Sequence, residues 1–117
     1  PGESISRGII YQLGFVMPQL QVDVVMPDGV TYRCDFGWED GALVGEFDGK
    51  AKYQRDPRGQ SSQEVLWAEK RREDAIRSTG RRMVRWVFAD LNRERLTAIL
   101  TRAGVERVPR RPARRSR

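Results

Sequence analysis

At 117 residues and a formal charge of +6, with 38% hydrophobic and 32% charged residues, the chain suits one soluble globular domain with a real core and is too short for two. No apolar run approaches bilayer length, no signal-peptide pattern opens the sequence, and one cysteine cannot close an internal disulfide, so a cytoplasmic protein that does not enter membranes is expected. The lack of any histidine excludes Ser-His-Asp and Cys-His nucleophile systems, His-ligated zinc and histidine general bases.

The chain opens at Pro1 rather than methionine, as a piece of a longer protein would. Residues 3–15 place Ile5, Ile9, Ile10 and Leu13 at helical spacing, with Glu3 in the first turn, where a carboxylate favours the helix dipole. After Pro18, residues 20–26 alternate and are rich in valine, which predicts a strand. Pro27-Asp28-Gly29 signals a turn, and residues 30–36 and 42–48 read as two more strands, completing an antiparallel meander. Residues 54–60 have loop composition. A capping pattern at Ser61 and Glu64 then opens a helix over 62–79 that stops at Gly80. The largely apolar run 83–88 predicts a fourth strand at the centre of the sheet, where Arg85 can pair with an acid of a neighbouring strand. Asn92 opens a last helix with Leu96, Ile99 and Leu100 as its stripe. The expected fold is α/β in the broad sense (α+β): αβββαβα, a four-stranded mixed sheet flanked by helices.

The charge is concentrated at the end of the chain. Residues 107–117 hold six arginines and no acid, with Pro109 and Pro112 opposing a helix. A domain over 1–106 followed by a disordered basic tail over 107–117 is expected; such a tail can add salt-sensitive affinity for phosphates or be a solvated terminus with no role.

The stretch Asp35 to Tyr53 carries the chemistry. Side chains alternate across a strand, so Glu46 and Asp48 share one face with Val44, while Leu43, Gly45 and Phe47 take the other. On the preceding strand Thr31, Arg33 and Asp35 share a face opposite Tyr32, Cys34 and Phe36. A hairpin through Glu39-Asp40-Gly41 brings Asp35 to Glu46 or Asp48, and clustered acids repel unless a cation or proton sits among them. Hard oxygen ligands suit Mg²⁺ or Mn²⁺, and no Walker-type or GxGxxG loop offers an alternative phosphate site. The cluster would support metal-dependent phosphodiester hydrolysis; the alternative is three acids on an exposed strand end with lysine counter-ions.

The pieces CDFGW (34–38), GEFDGKAKY (45–53), WAEKRREDAIRSTG (67–80) and MVRWVFADL (83–91), in this order, resemble the PD-(D/E)xK restriction-endonuclease-like superfamily. Within it they are most similar to the Vsr-like endonuclease domains of actinobacterial AbiEi-antitoxin-like proteins. The resemblance implies that Asp35 and Glu46 hold the metal, with Glu3 as a supplementary acid. The superfamily lysine lies two residues after the second acid, and that position is Asp48 here. The related domains continue ExDGxxH, which puts Lys52 at the histidine position and makes it the first candidate for the missing lysine. Lys50 and Lys70 are the other candidates.

The expected catalytic set is therefore Asp35, Glu46, Asp48 and Lys52, with Lys50, Lys70, Arg71 and Tyr53 as nucleic-acid contacts and Trp38 as a further stacking candidate. The resemblance implies a Mg²⁺- or Mn²⁺-dependent endonuclease acting on DNA, which allows a homodimer and a DNA-binding N-terminal domain in the longer protein. The alternative is a catalytically inactive nuclease-like domain that binds nucleic acid or a protein partner in a toxin–antitoxin or regulatory protein. In that case arginines at 71, 72, 77, 81 and 82 hold the phosphates.

Overall fold

A computed structural model describes residues 1–49 and 62–109. Its elements follow the order α1 (Gly2–Gln12), β1 (Gln19–Val25), β2 (Thr31–Trp38), β3 (Leu43–Asp48), α2 (Ser62–Ser78), β4 (Arg82–Val87) and α3 (Arg93–Ala103). Local chemistry explains several boundaries. The Asp28 carboxylate accepts the Val30 N–H and closes the β1–β2 turn. Asn92 caps α3 by accepting the Arg95 N–H at 2.8 Å. Between β2 and β3 the chain reverses through positive φ at Glu39, Asp40 and Gly41, and the last, at +90°, is a conformation that glycine takes without strain.

Among the described residues the fold is α+β, with a four-stranded mixed sheet in the order β1-β2-β3-β4 and three α-helices. Strands β1, β2 and β3 are antiparallel neighbours, and β4 runs parallel to β3 after the crossover through α2. This places β4 at an edge, not at the centre as its composition suggested. Its apolar character has a different cause, because helices cover both of its faces. Trp86 packs into the cluster of Ile10, Leu96 and Leu100 from α1 and α3, and Met83 packs with Ile76 from α2 on the other side.

The β1–β2 ladder is interrupted at one position. Leu20 pairs with Phe36 and Val22 with Cys34, but Gln21 and Asp35 between them do not pair, and Gln21 adopts a φ of +53°. Strict alternation expected Tyr32, Cys34 and Phe36 on one face. Instead Cys34 is buried beneath α2, with Tyr32 packed at the edge of that cluster, and Phe36 joins the opposite core beside Trp86. Trp38 is buried there too and donates its indole N–H to the Val16 carbonyl, which removes it as a base-stacking candidate.

The far end of the domain is closed by residues after α3. Phe15 and Arg107 form an antiparallel bridge, Val108 donates to the Gly14 carbonyl, and the Arg107 guanidinium lies 4.3 Å over the Phe15 ring. The expected boundary after residue 106 thus falls inside this bridge, and residues 110–117 of the expected tail lie outside the described residues. Among the described residues no helix is long and apolar enough to cross a membrane.

Candidate active site

The β2–β3 pairing runs from Trp38↔Leu43 to Phe36↔Gly45 and stops. Just beyond the last pair, the Phe47 N–H donates to the Asp35 carboxylate at 2.9 Å. A side-chain oxygen thus takes a ladder donor, which fixes Asp35 where the two strands part. Burial, the largest effect, pushes the Asp35 carboxyl above its usual range; the Phe47 hydrogen bond pulls it down, while the neighbouring Glu3 carboxyl adds to the rise.

Glu3 reaches this point because the first turn of α1 is seated tightly on the sheet. A Cβ on Gly2 would lie 1.9 Å from the Phe47 ring, so only glycine fits without moving that ring. Ser6, fully buried, donates to the Gly2 carbonyl at 2.6 Å and accepts the Trp86 indole N–H at 2.9 Å. Gln21, at the ladder interruption, donates to Glu3 at 3.3 Å.

Glu46 has a different environment. Arg72, from α2, grips both of its oxygens at 2.5 and 2.8 Å, and Arg85 lies 3.5 Å from Oε1. The parallel register puts Glu46 directly beside Arg85, so the expected pairing of Arg85 with a sheet acid is present. Arg72 is further held by the Arg33 carbonyl at 2.7 Å and lies 5.7 Å from the Tyr32 ring centre. Arg85 is also held by Glu69 at 2.8 Å, and its buried Nε, which makes no hydrogen bond, sits 3.6 Å from Glu73. Burial alone would lower the Arg72 pKa, but the hydrogen bonds and charge of Glu46 outweigh it and hold the guanidinium firmly protonated. The side chains of Arg72 and Glu46 are only 21% and 15% exposed, so the pair ranks well above a surface ion pair. Losing one partner should cost roughly 2 kcal/mol, between the surface and fully buried limits.

Asp35, Glu46, Phe47, Asp48, Gly49, Glu69, Arg72 and Arg85 line one open cleft of about 390 Å³. Its four carboxylates outnumber its two guanidinium groups, so the lining favours a cation. Of the expected site residues, Asp35, Glu46 and Asp48 line the cleft; Glu3 neighbours Asp35 and is not part of the lining. Lys70 is exposed, pairs with Asp74 at 3.5 Å and does not line the cleft; Arg71 is also exposed and outside it. Lys50, Lys52 and Tyr53 lie outside the described residues.

Under the non-catalytic alternative Arg72 was one of the arginines expected to hold phosphates; here its guanidinium is on Glu46. The sequence does carry a signal for this. Arg72 lies one turn before the buried Ile76, and Glu69 lies one turn before Arg72, so all three share the stripe of α2 that faces the sheet.

Mg²⁺ commonly needs only one or two protein carboxylates, with water and substrate phosphate completing its shell. The Asp35–Glu3 pair fits that requirement as two neighbouring hard-oxygen donors, the Asp35 carboxyl being raised chiefly by burial and further by Glu3. Glu46 does not contribute as arranged, since both of its oxygens are on Arg72. Among the described residues no three acidic or thiol groups converge to ligate an ion.

Comparison with known proteins adds no relative: no family model, no curated protein and no solved structure matches this chain.

Proposed function

We propose that this chain is a metal-dependent nuclease domain acting on DNA phosphodiester bonds, of the PD-(D/E)xK, Vsr-like kind that its motifs resemble. The observation that carries this reading is Asp35, held by the Phe47 N–H where β2 and β3 part, in a cleft lined by four carboxylates and with Glu3 beside it. The chain order, with three antiparallel strands, a crossover helix and a parallel fourth strand, supports it as well. Asp35 and Glu3 would hold Mg²⁺ or Mn²⁺, which when bound acts as a Lewis acid on a phosphodiester and an activator of water. Asp35 must give up its proton for this, and the Phe47 N–H orients its carboxylate. Lys52 remains the proposed lysine. A cytoplasmic location, a homodimer cutting both strands and a DNA-binding N-terminal domain belong to the same proposal.

The test is cleavage of plasmid and single-stranded DNA with Mg²⁺ or Mn²⁺, comparing the wild type with Asp35→Asn. Cutting that needs metal and disappears in the variant supports the assignment; equal cutting by both proteins counts against it.

The Arg72 fork on Glu46 favours a second reading, in which the domain binds nucleic acid or a protein partner without cutting. Salt-sensitive DNA binding with no cleavage under any metal would select it.

A further inference from the structure

We propose that Arg72 is an internal competitor for the cation: its fork on Glu46 keeps that carboxylate out of the Asp35–Glu3 site until a divalent ion displaces it. The inference rests on the metal-dependent reading above and adds to it a regulation of the same site by α2.

Three observations carry it. Asp35 and Glu46 occupy adjacent strands just past the last β2–β3 pair, Phe36↔Gly45, and line the same cleft. What occupies its oxygens is one planar guanidinium in the bidentate geometry that arginine forms best. Both arginines also keep other partners if Glu46 leaves. Arg72 retains the Arg33 carbonyl and the Tyr32 ring, and Arg85 retains Glu69 and Glu73. Exchange therefore gives up chiefly the Arg72–Glu46 fork and strands no guanidinium.

A site that is complete only when the fork is open binds its ion with an affinity reduced by the fraction of time it is open. The coupling is reciprocal, so bound cation must loosen Arg72 as much as Arg72 weakens the cation. Arg72, already at the cleft, then offers a fork that suits phosphate as well as carboxylate.

The experiment is titration of Mn²⁺ followed by electron paramagnetic resonance, for the wild type, Arg72→Gln, Arg72→Lys, Arg33→Gln and Asp35→Asn, with circular dichroism confirming each fold. Arg72→Gln should bind Mn²⁺ about tenfold more tightly or better, within the usual span of coupling between sites. Arg72→Lys should fall between it and the wild type, since an ammonium keeps the charge and loses the fork. Arg33→Gln removes an exposed charge from the same strand as Asp35 and should change little.

A folded Arg72→Gln that binds no more tightly than wild type overturns the proposal, as does equal tightening by Arg33→Gln. If Arg72→Gln does not fold, Arg72→Lys decides by the same criterion. Mn²⁺ binding that Asp35→Asn abolishes and Arg72 variants leave unchanged removes only the competitor. No binding by wild type or Arg72→Gln removes the metal site as well.

Discussion

Arg72 closes both oxygens of Glu46 in a single fork, joining the middle of α2 to β3. The pair is mostly shielded from water, so it contributes to stability where an exposed i,i+4 pair such as Lys70–Asp74 contributes little. Arg72→Gln should lower unfolding free energy by roughly 2 kcal/mol, and Glu46→Gln by a similar amount. Urea unfolding of both singles and the double variant checks this. The double should cost less than the sum of the singles, because the interaction can be lost only once.

Asp35→Asn should stabilise the metal-free protein at neutral pH. The folded state holds this carboxyl above its usual range, chiefly through burial. On raising the pH, the unfolded chain therefore loses the proton first, and the wild type loses stability as the pH climbs through the folded pKa. Below the ordinary aspartate range both states are protonated and the effect vanishes. Thermal melts of both proteins across acidic to neutral pH should converge in acid and separate above it, with the variant melting higher. Cation binding has the opposite dependence and should strengthen with pH over the same window.

Ser6→Ala should cost about 1–3 kcal/mol, because it leaves the buried Trp86 indole N–H without its acceptor. It also loosens the first turn of α1, so metal binding should weaken along with the melting temperature through Glu3. Parallel melts and Mn²⁺ titrations of the single variant test both consequences.

Cys34 should be inert in the folded protein. It is fully buried, and burial, followed by the charge of Glu46, raises its thiol pKa, which keeps the nucleophilic thiolate scarce. A thiol reagent should label it only as fast as the domain opens, which makes the labelling rate a direct probe of unfolding.

Much of the frame was legible because it rests on local chemistry. The cap at Asn92, the turn at Asp28 and the valine-rich alternation of β1 each act within a few residues, and the order of elements follows from them. The meeting of Asp35 with the Glu46 strand followed from a short hairpin and the period of a strand. What escaped depends on partners distant in sequence. The position of β4 is set by which strand it joins, and its apolar residues answer to Ile76 and Leu96 rather than to two flanking strands. Trp38 looked available because it adjoins the acids, but strand alternation turns it toward Phe36 and Trp86. The left-handed φ at Gln21 has no marker in a glutamine, and neither has the parting of Cys34 and Phe36 into different cores. Arg72 was hidden for a simpler reason: apolar periodicity skips a charged residue even when it lies on the inward stripe.

The claim on which the rest depends is that Asp35 and Glu3 hold a divalent cation. Calorimetric titration of Mn²⁺ into the wild-type protein and into Asp35→Asn at neutral pH tests it most directly. The account predicts one saturable site in the wild type that the substitution abolishes while the fold is kept. A wild type that takes up no Mn²⁺, or a variant that binds it equally well, would contradict the account.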